Sequence, residues 1–238
     1  MIFFAPAYDP ATHLNLVIVR RILPSGCQAL LGAEATRTAL LAALEQDGED
    51  TVFAMSHGEK ERLLAQNRTT AEELDCEDLG PKEKKDRLEV GKTTALASSD
   101  TASVGRRRLF VFACHTASVL GRALTGEGAV YWGYTGAINA PAENPDLAFL
   151  FIPIFEYIRD AWHGAGTSRE RQNVLVHLAT LCTKAEGSLD DLALEDEGLD
   201  VGSAYLCLLH IWDRLRIWTR GAESPEHHPS ATTPLFLM

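Results

Sequence analysis

The sequence predicts an α/β fold with a mostly parallel central sheet, helices on both faces and a helical C-terminal part. Three observations carry this. Residues 51–55, 109–113 and 129–134 are short, nearly continuous apolar runs, the pattern of strands buried on both faces of a sheet. Helix-patterned segments alternate with them, and repeated strand–helix–strand order implies parallel pairing. The chain has 238 residues, 46% of them hydrophobic, which is enough for one substantial core.

Taken in order, residues 14–22 are rich in β-branched side chains and predict a strand, broken by Pro24, Ser25 and Gly26. Residues 27–31 predict a second short strand. The spacing of Ala35, Thr38, Leu41, Ala42 and Leu44 predicts an amphipathic helix over 34–46, with Glu34 near its positive end and a turn at 47–50. The strand at 51–55 follows. Residues 58–107 are polar and charged and predict a long surface connection, functional or mobile because of its length. After the strand at 109–113 come a short helix over 118–124 and the strand at 129–134. Helices are predicted over 147–162, kinked at Pro153, then 172–185 and 202–218, with the acidic stretch 186–200 between the last two. Trp212, Leu215, Ile217 and Trp218 fall at helical spacing, as a packing stripe does. The expected organisation is a catalytic core over 1–146 with a polar insertion at 59–107, a helical continuation over 147–222 and a loose tail over 223–238.

Composition excludes several function classes. The net charge is −11, from 33 acidic and 22 basic residues, the wrong footprint for phosphate-backbone binding, so no nucleic-acid partner is expected. Arg106, Arg107 and Arg108 suit a solvated strand entrance. Gly91, Lys92 and Thr93 lack the glycine a phosphate loop needs, since Asp86 stands there. The N-terminus carries no basic segment ahead of a long apolar one, and no window has the 18 or so apolar residues of a membrane helix. No membrane association and a cytoplasmic location are expected. The cysteines, at 27, 76, 114, 182 and 207, are odd in number and show no metal-ligand spacing. No metal and no cofactor are expected. Cys27, Cys76, Cys182 and Cys207 suit packing roles.

Cys114 differs. The buried run 109–113 ends in Ala113-Cys114-His115, and the run 51–55 ends in Ser56-His57-Gly58. In parallel sheets the ligand crevice lies beyond the carboxyl ends of the strands. Neighbouring strands lie about 4.8 Å apart, so a thiol and an imidazole on adjacent strand ends can converge. The imidazole takes the thiol proton and later protonates the leaving amine. Gly58 offers a bare backbone N–H which, with that of Cys114, suits an oxyanion hole. The helix over 118–124 adds its positive end. His115 is a site-lining or structural residue.

The order and strand-end positions of 32–44, 51–58 (Thr-Val-Phe-Ala-Met-Ser-His-Gly), 109–117 (Leu-Phe-Val-Phe-Ala-Cys-His-Thr-Ala) and 128–133 resemble the CHAT peptidases. These group with caspases, metacaspases and separase. The resemblance spans roughly residues 14–138, and the interval of 57 positions from His57 to Cys114 is near the roughly 50 of caspases. It implies a caspase-like three-layer fold and a thiol endopeptidase without a metal. Its dyad would be His57 and Cys114, with Gly58 at the oxyanion hole. Tyr134, Asn139, Glu143 and Asp146 fall where related enzymes build part of the substrate pocket. The resemblance further implies a protein substrate, such as a pore-forming or other effector protein of a bacterial defence or cell-death system. A regulatory protein partner and processing within 67–105 are compatible with it. The caspase signature around the cysteine is absent, because Phe112 precedes Ala113 and His115-Thr116 follows Cys114, so no cleavage preference is implied. Two other readings remain: a non-catalytic interaction module using the helical C-terminal half, and a different α/β thiol hydrolase or acyltransferase.

Overall fold

The computed structural model describes residues 1–46, 51–66, 92–126, 128–141 and 145–232. A six-stranded sheet runs in the order β2 (Gln28–Leu31), β1 (Ile2–Ala5), β3 (Val52–Met55), β7 (Arg108–Phe112), β8 (Val130–Tyr134), β9 (Leu215–Trp218). All neighbours pair in parallel except β8 and β9. The protein is thus α/β with a mostly parallel mixed sheet. β1, β3 and β7 are buried nearly along their length, as their unbroken apolar sequences require. Register places Phe3 beside Phe53 and Phe53 beside Phe110, with ring centroids 5.2 and 4.8 Å apart. Such cross-strand aromatic pairs add to the area each ring buries.

Alternate residues of these strands face two separate cores. Phe3, Phe53 and Phe110 meet α1 (Pro10–Ile22), α5 (Ala148–Ala161), α6 (Ser168–Glu195) and α7 (Gly202–Asp213) through Leu16, Phe151, Leu178 and Leu208. Phe4, Val52 and Val111 meet α2 (Arg37–Glu45), α3 (Thr101–Val104) and α4 (Leu120–Thr125) through Leu40, Val104 and Leu124. Helices therefore cover both faces.

The first strand is Ile2–Ala5, and the segment 14–22, expected as a strand, belongs to helix α1. Its β-branched run is outweighed by a strong start: Asp9 caps the helix, Thr12 completes a capping box and Pro10 occupies the first turn. Thr12, Asn15, Leu16, Val19 and Ile22 are buried at helical spacing. Arg159 of α5 donates to the Ile22 carbonyl at 2.6 Å and satisfies the helix's last turn.

The ends of the segment 58–107 are not a surface connection. β4 (Gly58–Glu59), β5 (Arg62–Gln66) and β6 (Lys92–Ala97) form an antiparallel three-stranded sheet. Leu63, Ala65, Ala95 and Leu96 pack with Leu40 and Ala43 of α2, so alternation within charged flanks decided the structure. Arg37 grips Asp100 with two bonds of 2.7 and 2.8 Å and ties α2 to the end of β6. The expected turn at 47–50 and most of 67–105, including Cys76, lie outside the described residues.

Three further corrections fall in the C-terminal half. Helix α6 continues through the acidic stretch to Glu195, because Leu189 still packs inward while the carboxylates sit on the solvent side. The helix expected over 202–218 stops at Asp213. Leu215 and Ile217 then face one core and Trp218 the other, the period of a strand. The tail is held as far as Thr232: Glu226 pairs with Ile217 through both backbone bonds and with Arg171, and Asp213 accepts from the Thr232 N–H at 2.6 Å.

Candidate active site

Three adjacent parallel strands bring a carboxylate, an imidazole and a thiol to one rim. β1 leads to Asp9, β3 to His57 and β7 to Cys114, and the strands lie side by side in that order. The Ser56 N–H donates to the Phe112 carbonyl at 3.1 Å, so β3 and β7 stay zipped up to the site. Beyond that bond His57 and Cys114 line a common cleft of about 220 Å³, together with Asn15, Ser56, Phe112, Ile138 and Asn139.

Asp9 is the residue that sequence reasoning missed. Its Oδ2 lies 2.7 Å from His57 Nε2, while its Oδ1 accepts from the N–H and hydroxyl of Thr12 at 2.8 Å each. One carboxylate thus caps α1 and holds the imidazole. Burial pushes the Asp9 carboxyl up, but its bonds to His57 and Thr12 outweigh that and hold it below the usual carboxylate range. An ionised carboxylate only accepts, so the proton of the His57 bond belongs to Nε2 and Nδ1 is left as the basic nitrogen. The side chain of Asp9 is 12% exposed and that of His57 36%, so the carboxylate is sheltered while the imidazole reaches solvent and cleft. The ring of Tyr8 packs 5.9 Å from that of His57. The available signal was Asp9 before Pro10, a helix start, which reveals a cap but not its second partner.

Cys114 is half-buried and held by the segment after β8. Its Sγ accepts the Ile138 N–H at 3.3 Å, and the Ile138 carbonyl lies 3.5 Å away as an acceptor for the thiol. Among the described residues no hydrogen bond joins Cys114 to His57. Burial pushes the thiol pKa up, and the opposing pull of the Ile138 N–H and the Arg214 charge does not reverse it. At rest the group is a thiol.

The chain turns sharply just past Cys114. His115 has φ of 60°, the left-handed region that few non-glycine residues adopt. Its N–H donates to Gly136 and the Ala117 N–H to Tyr134, which fixes the turn against the strand end of β8. Burial, then Lys60 and Arg214, lower the His115 pKa, so it is neutral at neutral pH. The helix that follows spans only Leu120–Thr125, and its early N–H groups are taken by Lys60 and Thr116 carbonyls, so its positive end does not serve the thiol.

Gly58 is required sterically. A Cβ there would stand 2.5 Å from Thr116 Cγ2, 2.7 Å from the Cys114 carbonyl and 2.9 Å from Ala113 Cβ. The Leu64 N–H donates to His57, and antiparallel pairs alternate, so the Gly58–Leu63 pair is a non-bonded one and the Gly58 N–H turns away from β5. Of the expected pocket residues, Asn139 lines the cleft. Tyr134 does not: it is fully buried against Phe110 and Phe112. Asp146 is exposed in a short helical turn away from the cleft lining, and Glu143 lies outside the described residues.

Among the described residues no group of three or more His, Cys, Asp or Glu side chains could hold a metal ion, and no helix is long and apolar enough to cross a membrane. Comparison with protein-family models, with curated proteins and with solved structures finds no match for this chain.

Proposed function

We propose that the protein is a cysteine endopeptidase of the caspase-like kind, with Cys114 as nucleophile, His57 as base and Asp9 as the residue that positions the base. The observation that carries this reading is the delivery of acid, imidazole and thiol by three neighbouring strand ends, with His57 and Cys114 in one cleft. Its resemblance to the CHAT peptidases points the same way.

The chemistry follows from the protonation states. Because the thiol rests protonated, attack is coupled to proton removal and does not start from a stored thiolate. Cys114 leaves Ile138 and turns to the scissile carbonyl as His57 Nδ1 takes its proton. The S–C bond forms and the carbonyl electron pair moves to oxygen. On this reading the N–H groups of Gly58 and Cys114 receive that oxyanion. The imidazolium, stabilised by Asp9, protonates the amine as the C–N bond breaks. Water, deprotonated by His57, then hydrolyses the thioester and restores the thiol. A protein is the natural substrate on this reading, an effector of a defence or cell-death system among the candidates. The experiment is to map new N-termini in a proteome after adding the protein, with Cys114→Ala as control. Cleavage by wild type alone supports the reading; equal cleavage by the variant sinks it.

One observation favours a second reading. Leu206 and Leu209 lie one turn apart on α7 and are 48% and 41% exposed, an apolar strip suited to a non-catalytic partner-binding module. Retained binding of a partner by Cys114→Ala, without cleavage by wild type, would favour it.

A further inference from the structure

Asn15 stands on the buried face of α1, 4% exposed, and lines the cleft that His57 and Cys114 share. Its Oδ1 is buried without a hydrogen-bond partner, and no bond from its Nδ2 is present among the described residues. Buried carboxamides ordinarily find partners. Because Oδ1 is closed off and Asn15 lines the cleft, Nδ2 is the end of the amide left to meet whatever fills it. Among the described residues His57 and Cys114 are the titratable groups of the lining. Ala11, Phe112, Ile138 and Ala140 supply apolar surface, and Ser56 donates its hydroxyl to Leu64 at 2.8 Å, leaving its oxygen able to accept. Among the described residues no Asp, Glu, Lys or Arg side chain lines the cleft. Asp9 has its oxygens engaged by Thr12 and His57, and Arg214 donates to the Ala137 carbonyl.

We propose that Asn15 is a specificity-determining residue that selects a neutral carboxamide side chain, glutamine or asparagine, next to the scissile bond. This rests on the peptidase reading above. The cleft abuts the thiol, so the side chain that enters it belongs to the residue carrying the attacked carbonyl. A lysine, arginine, aspartate or glutamate would be stripped of water there without a counter-charge. An aliphatic side chain would leave the Asn15 amide unpaired. A carboxamide side chain satisfies the exposed end, its oxygen accepting from Nδ2. A cleft of about 220 Å³ holds one side chain of that size and is smaller than the pockets that enclose drug-sized ligands.

The test uses the full chain and a set of fluorogenic peptides that differ only at the residue before the scissile bond. Wild type, Asn15→Leu and Asn15→Asp are compared, with Cys114→Ala as blank and labelling of Cys114 by a peptidyl electrophile run in parallel. Wild type is expected to favour glutamine and asparagine over leucine and methionine by about 10- to 100-fold in kcat/KM, since a site built to bond a polar group rejects analogues lacking it. Asn15→Leu inverts that order, and Asn15→Asp moves the preference towards lysine and arginine. A wild type that prefers charged or aliphatic residues overturns the inference whatever the variants do. The same preference in wild type and both variants, with Cys114 labelled, overturns it too and leaves the peptidase reading standing. No hydrolysis and no labelling of Cys114 in wild type overturns both.

Discussion

Cys114 and Cys182 are both unpaired thiols whose pKa values burial pushes up, yet their surroundings differ in every other respect. Cys182 sits at 0% exposure in the middle of α6, among Leu178, Leu208 and other apolar side chains, and the charge of Glu186 pushes its pKa further up. Cys114 stands two residues beyond the end of β7, half-exposed, in a cleft that also holds an imidazole pinned by a carboxylate. Burial alone makes an inert thiol. What distinguishes the rim is access combined with an imidazole whose tautomer is set from behind.

The variant that sharpens this contrast most is Asp9→Asn. Asparagine caps a helix as well as aspartate, so α1 keeps its start and the fold is retained. The imidazole loses its anionic support and its tautomer, and kcat is expected to fall on the order of 10²- to 10⁴-fold, as in other systems where a positioning carboxylate becomes an amide. A variant with unchanged kcat would remove Asp9 from the machinery. The sign of the pH dependence follows from its pKa. The folded-state value is depressed, so the stability Asp9 contributes is present above about pH 4 and is lost as the pH falls below that. Asp9→Asn should flatten this acid limb in a Tm-against-pH series.

Phe53→Ala probes the core side of the comparison. It removes the middle ring of the Phe3–Phe53–Phe110 ladder and should cost about 3–5 kcal/mol in denaturant unfolding. Gly58→Ala lies between rim and core: its Cβ meets the Cys114 carbonyl and Thr116, so about 1–3 kcal/mol of overpacking should accompany loss of activity. Cys182→Ala should be the mildest, about 1 kcal/mol of stability with activity retained. Alkylation separates the two thiols again. Iodoacetamide should modify Cys114 with a rate still climbing above about pH 8.5, because its thiol is raised, and should leave Cys182 untouched in the folded protein. A rate that plateaus near pH 6 would instead indicate a preformed thiolate.

β3, β7 and β8 were legible in the sequence because a strand buried on both faces of a parallel sheet has little choice but to be apolar throughout. Their ends made the positions of His57, Gly58 and Cys114 legible, and strand ends are where such folds place a ligand crevice. Asp9 was hidden because its cap role is local while its bond to His57 spans 48 positions. The segment 14–22 misleads because its β-branched residues favour a strand, whereas the cap and capping box that decide for a helix lie just upstream. β9 misleads for a related reason: only Arg214 separates it from α7, without glycine or proline to mark the break. Asn15 gave no signal at all. A lone asparagine in an apolar run becomes informative only when its amide is seen to lack a partner.

The central claim is that His57, held by Asp9, activates Cys114. The most direct measurement is the rate at which an irreversible peptidyl electrophile labels each cysteine, read by peptide mapping in wild type and in His57→Ala at neutral pH. The account predicts labelling confined to Cys114 in wild type and slowed by at least about 100-fold without the imidazole. Labelling of Cys114 at the same rate in both proteins, or spread over Cys27 as readily, would contradict it.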